Sequence, residues 1–226
     1  MDAGQVWFVI PAFREARAIG TTLAQFRGTG FNIVVVDDGS DDATGEIALQ
    51  GGAWVCRHVV NLGAGAALQT GIQFALTRGA EFIVTFDADG QHSLTDAVSM
   101  LAVLRRGEAE VVLGSRFLGA TMGMSSSRHR LLRLATWYTR IQTGLPLTDT
   151  HNGLRAFSAV AARQIGLRQN RMAHASELLK QIATKGLRWR EHPCTIVYTD
   201  YSRAKGQRNS GMFVILLDLF MGRLHR

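Results

Sequence analysis

Phe82-Ile83-Val84-Thr85-Phe86-Asp87-Ala88-Asp89-Gly90-Gln91 is the stretch on which the reading of this chain turns. A short apolar run ends in two carboxylates one residue apart. At the end of a buried strand such a pair is costly as bare charge, so it points to a divalent cation joining the carboxylates to an anionic ligand. A second run, Asn32-Ile33-Val34-Val35-Val36, ends in the same way, in Asp37-Asp38-Gly39-Ser40-Asp41-Asp42. Ligands of open α/β sheets sit beyond the carboxyl ends of the strands. Both acidic clusters are therefore expected on one rim, facing a phosphate-bearing ligand.

The alternation continues through the amino-terminal half. Strands are expected over 6–10, 33–37, 54–59, 82–86 and 111–114, with helices over 16–26, 43–50, 64–76 and 95–105. This rhythm predicts an α/β fold with a Rossmann-like, mostly parallel sheet flanked by helices. After Gly114 it breaks. Residues 120–127 read as a loop and 128–143 as a long helix with an N-cap at Ser126 or Ser127. Beyond it, 151–157 reads as strand or turn, 159–165 and 176–185 as helices, and the surroundings of Trp189 and Ile196 as short strands; 198–211 is a polar, basic loop. With 226 residues, 46% of them hydrophobic, and no linker or repeat, the chain fits one domain. That domain is expected over 1–205, with 206–226 as its amphipathic carboxyl-terminal segment.

A formal charge of +7, carried mostly by arginine, implies an anionic partner: nucleotide phosphate, acidic lipid or nucleic acid. Cys56 and Cys194 have neither disulfide nor zinc spacing and read as buried thiols. The opening residues lack a leader pattern, and no stretch reaches the roughly 20 apolar residues that span a bilayer. The expected location is cytoplasmic, peripheral on the cytoplasmic face of a membrane. The apolar run from Met212 to Met221, followed by Arg223, suits a membrane interface or a docked core helix.

Five motifs now stand in order: Pro11-Ala12-Phe13-Arg14-Glu15, Val36-Asp37-Asp38-Gly39-Ser40, Asp87-Ala88-Asp89, Gly114-Ser115-Arg116-Phe117, and Asp149-Thr150-His151-Asn152-Gly153-Leu154-Arg155. In this order and spacing the chain resembles a family 2 glycosyltransferase of the GT-A fold, within the branch of dolichyl-phosphate and polyprenyl-phosphate sugar transferases. The resemblance implies that Pro11, Phe13, Glu15 and Asp37 line a nucleotide pocket, with Asp38, Asp87, Ala88 and Lys205 also in nucleotide-sugar binding. It implies a metal set of Asp87, Asp89 and Gln91 holding Mg²⁺ or Mn²⁺ against the diphosphate, and an acceptor phosphate held by Arg116 and Arg128. Asp89, Arg116 and Asp149 are the catalytic candidates. Phe13 and Arg14 replace the family's tyrosine or asparagine, which leaves the base open, and Leu132 stands where a small polar residue is expected. Relatives keep an acid near the sugar at the position of Glu177, although a carboxylate opening a helix is favoured by the dipole alone. Gly63 and Gly65 give only a truncated G-x-G-x-x-G, since Leu68 replaces the third glycine; they read best as a close-packed helix start near the donor phosphate.

An inverting transfer requires the acceptor to attack the sugar opposite the leaving diphosphate. A phosphate monoester is already mostly ionised at neutral pH, whereas a hydroxyl needs a carboxylate base within reach. Arg116, Arg128 and Lys205 favour a polyprenyl (dolichyl-like) phosphate acceptor. The alternative is a saccharide hydroxyl in cell-surface polysaccharide synthesis, with Asp149 as base. Nucleic acid is not among the partners implied. A nicotinamide oxidoreductase would need a full glycine fingerprint after the first strand, which is absent; a catalytically silent sugar-nucleotide binder is the remaining contrast.

Overall fold

The computed structural model describes residues 3–169 and 173–198. A short 3₁₀ turn leads into β1 (Val6–Ala12), followed by α1 (Ile19–Ala24), β2 (Asn32–Asp37), α2 (Thr44–Gln50), β3 (Trp54–Arg57), α3 (Ala64–Thr77), β4 (Phe82–Thr85) and α4 (Leu94–Arg105). Then come β5 (Val111–Met122), α5 (Ser126–Thr143), β6 (Arg155–Ser158), α6 (Ala159–Gln164), α7 (Ala173–Thr184) and β7 (Trp189–Val197). The strands form one seven-stranded sheet in the order β3-β2-β1-β4-β6-β5-β7. Only β6 runs against its neighbours, pairing antiparallel with both β4 and β5.

The central strands read as continuous apolar runs because helices cover both faces. Phe8, Ile10, Val35 and Val84 point into one layer of core, and Val9, Val34, Val36 and Ile83 into the other. Each such fully buried side chain contributes about 1.5–3 kcal/mol. On the second face α3 lies very close to the sheet: a Cβ on Gly71 would come within 2.3 Å of Val9 Cγ1. On the first face Phe86, one residue past β4, stacks edge-on against Phe8 (6.0 Å) and Phe26 (5.3 Å). That cluster fixes the chain at the step before Asp87.

Beyond shifts of a few residues at element ends, three departures from the sequence reading stand out. The fifth strand does not stop at Gly114 but runs to Met122, because a bulge between Ser115 and Ala120 lets β5 resume pairing with β7. Gly119 permits the close approach, since a Cβ there would meet the Cys194 carbonyl oxygen. Helix α5 begins at Ser126, so Ser126 and Ser127 lie in its first turn; Ser125 precedes it and accepts the His129 N–H on its carbonyl. The two short carboxyl-terminal strands are one strand, β7. Lys205 and the segment 206–226 lie outside the described residues, as does most of the loop 198–211.

Candidate active site

The Asp87-Ala88-Asp89 turn leaves the sheet at the carboxyl end of β4. The Thr22 hydroxyl donates to the Ala88 carbonyl (2.8 Å), Gly90 takes a positive φ of 75°, and the Asp89 Oδ1 accepts the Gln91 N–H (3.1 Å). His92, buried against Phe86, places Nε2 2.8 Å from Asp87 Oδ2. Its Nδ1 is buried without a partner, which suits the tautomer that donates from Nε2. Partial burial raises the pKa of Asp87, whose side chain stays nearly half exposed, but His92, Arg155 and Arg116 outweigh it and hold the carboxyl below its ordinary range. Asp89 moves the other way: burial first, then the charge of Asp87, push it up to about 6. The two carboxylates thus resist joint ionisation in the absence of a counter-charge.

Gly153, two residues before β6, closes on this turn. A Cβ there would lie 2.4 Å from both Asp87 oxygens. The backbone of the motif is held in place by Thr85, whose hydroxyl donates to the Gly153 carbonyl (2.6 Å), and by Asn152, whose side-chain oxygen accepts the Leu154 N–H.

The second wall is built around Arg116. Its Nε donates to Asp149 Oδ2 at 2.6 Å, its backbone N–H to the same oxygen at 3.1 Å, and its Nη1 to the Tyr198 hydroxyl at 2.8 Å. Burial opposes the charge, but Asp149 and Tyr198 hold the Arg116 pKa above its ordinary value. The remaining Asp149 oxygen accepts the His151 N–H (3.1 Å). Asp149, the candidate base only for a saccharide hydroxyl acceptor, is paired here with Arg116 as its counter-ion. Burial, with Arg116 and Arg155 nearby, lowers the His151 pKa to about 4 against the pull of Asp149, so this imidazole is neutral at pH 7.

The β2 rim differs from expectation in where its acids point. Asp37 is wholly buried; its Oδ1 accepts the Ser40 N–H and its Oδ2 lies 3.5 Å from Arg57 Nε. Asp38 accepts the Leu62 and Gly63 N–H groups and pairs with His58 at 2.7 Å. Asp38 therefore faces protein donors and shapes the rim, whereas Asp37 Oδ2 is buried without a hydrogen-bond partner. Beside them Gly39, Ser40, Arg57, His58 and Val59 border a hollow of about 210 Å³. Pro11 ends near this rim on β1. Phe13 lies under the Arg14 guanidinium (5.1 Å), and the Glu15 N–H donates to the Thr44 hydroxyl. The charge of Glu15 contributes to raising Asp89, so the first and third motifs do converge. Gln91 stays at the turn, its carbonyl accepting the Val197 N–H. Arg128 lies in the first turn of α5. Glu177 lies within α7 and accepts the Arg168 and Gln169 N–H groups, both at 2.9 Å, as a brace for that loop.

With this geometry in view, the model of the family described as glycosyl transferase family 2 matches residues 7–166. The chain belongs to that family. Among its relatives, the UDP-N-acetylglucosamine–dolichyl-phosphate N-acetylglucosaminyltransferase of Methanococcus voltae is 30% identical over 97% of each chain. The undecaprenyl-phosphate mannosyltransferase of Micrococcus luteus is 33% identical over 72% of this chain and 70% of its own. Glucosyl-3-phosphoglycerate synthase from Mycobacterium tuberculosis, solved with Mn²⁺ and UDP-glucose, superposes with a TM-score of 0.68 at 20% identity, covering 95% of this chain and 78% of its own. The fold is GT-A.

In this glycosyltransferase the structure adds residues that the motifs alone did not single out. Arg155 is buried between Asp87 and Asp149, and burial lowers its pKa to about 10 while those two acids act to raise it. Glu191 on β7 accepts the N–H groups of Thr148 and Asp149 and so sets the turn that carries Asp149. Tyr198 and His92 complete the supports. Arg155 closes the quoted motif and His92 directly follows the Asp87–Gln91 stretch, so both were visible there; Glu191 and Tyr198 come from segments with no motif, and only tertiary contact reveals them.

Proposed function

We propose that this family 2 glycosyltransferase moves a sugar from a nucleoside-diphosphate donor to a polyprenyl phosphate, with inversion, at the cytoplasmic face of a membrane. The observation that carries the choice of acceptor is the engagement of Asp149. A hydroxyl nucleophile needs an available carboxylate base, and the acid placed to serve is clamped by two Arg116 donors and a backbone N–H. A phosphate monoester brings its own charge and needs no base. Both relatives named above carry a lipid phosphate in their names, which supports the same reading.

The donor end is read from Asp87 and Asp89. Their oxygen donors, and a pair of charges that burial and proximity set against each other, fit a hard divalent cation such as Mg²⁺ or Mn²⁺. Among the described residues no three acidic, histidine or cysteine side chains form a metal cage, so diphosphate oxygens and water would complete the shell. When bound, the cation supplies Lewis-acid neutralisation of the leaving diphosphate. The chain does the rest. Arg116, fixed by Asp149 and Tyr198, offers a pre-oriented guanidinium to the acceptor phosphate. Arg155 balances Asp87 from behind, and neutral His151 adds no competing charge. We assign Arg128 and Lys205 to acceptor and diphosphate, and Pro11, Phe13, Glu15 and Ala88 to the nucleotide.

The test is to incubate the protein and Mn²⁺ with labelled UDP-, GDP- and dTDP-sugars and a polyprenyl phosphate in detergent, with Asp89→Asn as control. Label entering the organic phase from one donor supports the reading. Donor binding without organic-phase label rejects the lipid acceptor.

A further inference from the structure

The outer face of α5 is the feature that transfer chemistry leaves unused. The helix has eighteen residues and no acid among them. Its inner face, with Leu132 and Ala135, is buried, and Thr136 reaches Thr150 beside the Arg116–Asp149 pair (3.5 Å between hydroxyl oxygens). Its outer face exposes Leu134 (52%), Trp137 (59%) and Ile141 (64%), spaced three to four residues apart on one side. Arg130, Arg133 and Arg140 are exposed alongside them.

We infer that this face of α5 docks the enzyme on an anionic lipid surface. A stripe of large apolar side chains bordered by arginines is the composition that lies in a bilayer interface, with the rings and alkyl groups among the acyl chains and the guanidinium groups at the head-group phosphates. Charge complementarity excludes the other occupants. A second copy of the chain would set Arg133 and Arg140 against arginines of the same face. The segment 212–226 is itself basic, with Arg223 and Arg226 against one acid, Asp218. A nucleic acid would pair with the arginines but give Leu134, Trp137 and Ile141 nothing to bury against. The sequence left the run from Met212 to Met221 open between a membrane interface and a docked core helix; α5 carries a surface of the required composition within the described residues.

Function follows from what α5 rests on. Its inner face packs against the turn that carries Asp149, so a helix about 10 Å across is all that separates the lipid surface from the Arg116 wall. A phosphate at the end of a lipid would then reach the site without leaving its bilayer. The inference builds on the reading of a lipid-borne acceptor, and the two fail separately, because vesicle binding needs no turnover and turnover in detergent needs no vesicle.

The experiment is co-sedimentation of the full chain with phosphatidylcholine vesicles, with or without phosphatidylglycerol, comparing wild type with Trp137→Ser/Ile141→Ser, Arg133→Gln/Arg140→Gln, and Leu49→Ser as an exposed apolar control on α2. Wild type is expected to bind the anionic vesicles, and less as salt rises. Both α5 double variants should lose at least tenfold in partitioning with Tm unchanged, while Leu49→Ser binds normally. Equal binding by the α5 variants, or none by wild type, overturns the inference. So does a lowered Tm in Trp137→Ser/Ile141→Ser without lipid, which would mean that the chain's own segment covers the face. A wild-type dimer that the same variant converts to monomer, or loss of duplex-DNA binding in place of vesicle binding, also overturns it.

Discussion

Arg116 and Asp149, 33 residues apart in sequence, share one carboxylate oxygen between a side-chain donor at 2.6 Å and a backbone donor at 3.1 Å, and both side chains are almost wholly buried. Neither charge is tolerable there alone. Removing one partner of a buried pair costs about 3–5 kcal/mol, mostly from the charge left behind. Arg116→Ala should therefore lose stability of that order, and Arg116→Ala/Asp149→Ala should recover part of it. Thermal denaturation of the two single variants and the double variant measures the coupling; simple additivity would refute it. Arg116→Lys should keep the charge but not the fork that joins Asp149 to Tyr198, and raise the acceptor KM at least tenfold.

Gly153 is required by contact and not by backbone conformation. In Gly153→Ala the new methyl group would occupy the place of the Asp87 carboxylate. That side chain is 45% exposed and can swing outward. The expected result is a fall in turnover of at least tenfold and a weaker apparent Mn²⁺ affinity, with only a small drop in Tm. A large Tm loss with normal metal affinity would show that Gly153 serves packing instead.

Asp38 distinguishes a scaffold acid from a ligand acid. Its oxygens satisfy two backbone N–H groups at the start of α3 and His58, and each buried donor left unpaired costs roughly 1–3 kcal/mol. Asp38→Ala should be destabilised by several kcal/mol in urea denaturation. Unchanged stability with weakened nucleoside-diphosphate binding would return Asp38 to the nucleotide pocket.

How far the sequence reached is instructive at these same residues. The β1, β2 and β4 runs were legible because a parallel strand covered on both faces must be apolar throughout, and the Asp-x-Asp followed from where β4 had to end. The antiparallel insertion of β6 between β4 and β5 was not, because four residues, Arg155–Ser158, carry no directional signal. Nor could a pattern tell that Asp38 turns inward while Asp89 stays at the rim: both follow apolar strands, and the difference lies in which backbone N–H groups the 58–63 loop brings near. Arg116 and Asp149 were each legible as charged motif residues, but their pairing is a contact between distant segments that no motif carries.

Asp89 yields a prediction in pH. Its folded pKa of about 6 lies above the ordinary carboxyl value of 3.8, so the folded, metal-free protein binds a proton that the unfolded chain has given up over the window between them. Stability from this group is full below about pH 4 and is lost as pH rises through about 6. In chelator, Asp89→Asn should therefore be more stable than wild type at pH 7, by about 1–3 kcal/mol, with the advantage vanishing near pH 4. Added Mn²⁺ should reverse the order at pH 7, because the cation removes the penalty in wild type and finds one carboxylate fewer in the variant. Apparent Mn²⁺ affinity of wild type should rise between pH 5 and 7 as Asp89 ionises. Calorimetric scans with chelator and with Mn²⁺ across that range read all of these. A wild type that chelator leaves more stable than Asp89→Asn at pH 7 would mean that Asp89 is held ionised by a protein partner and does not await a cation.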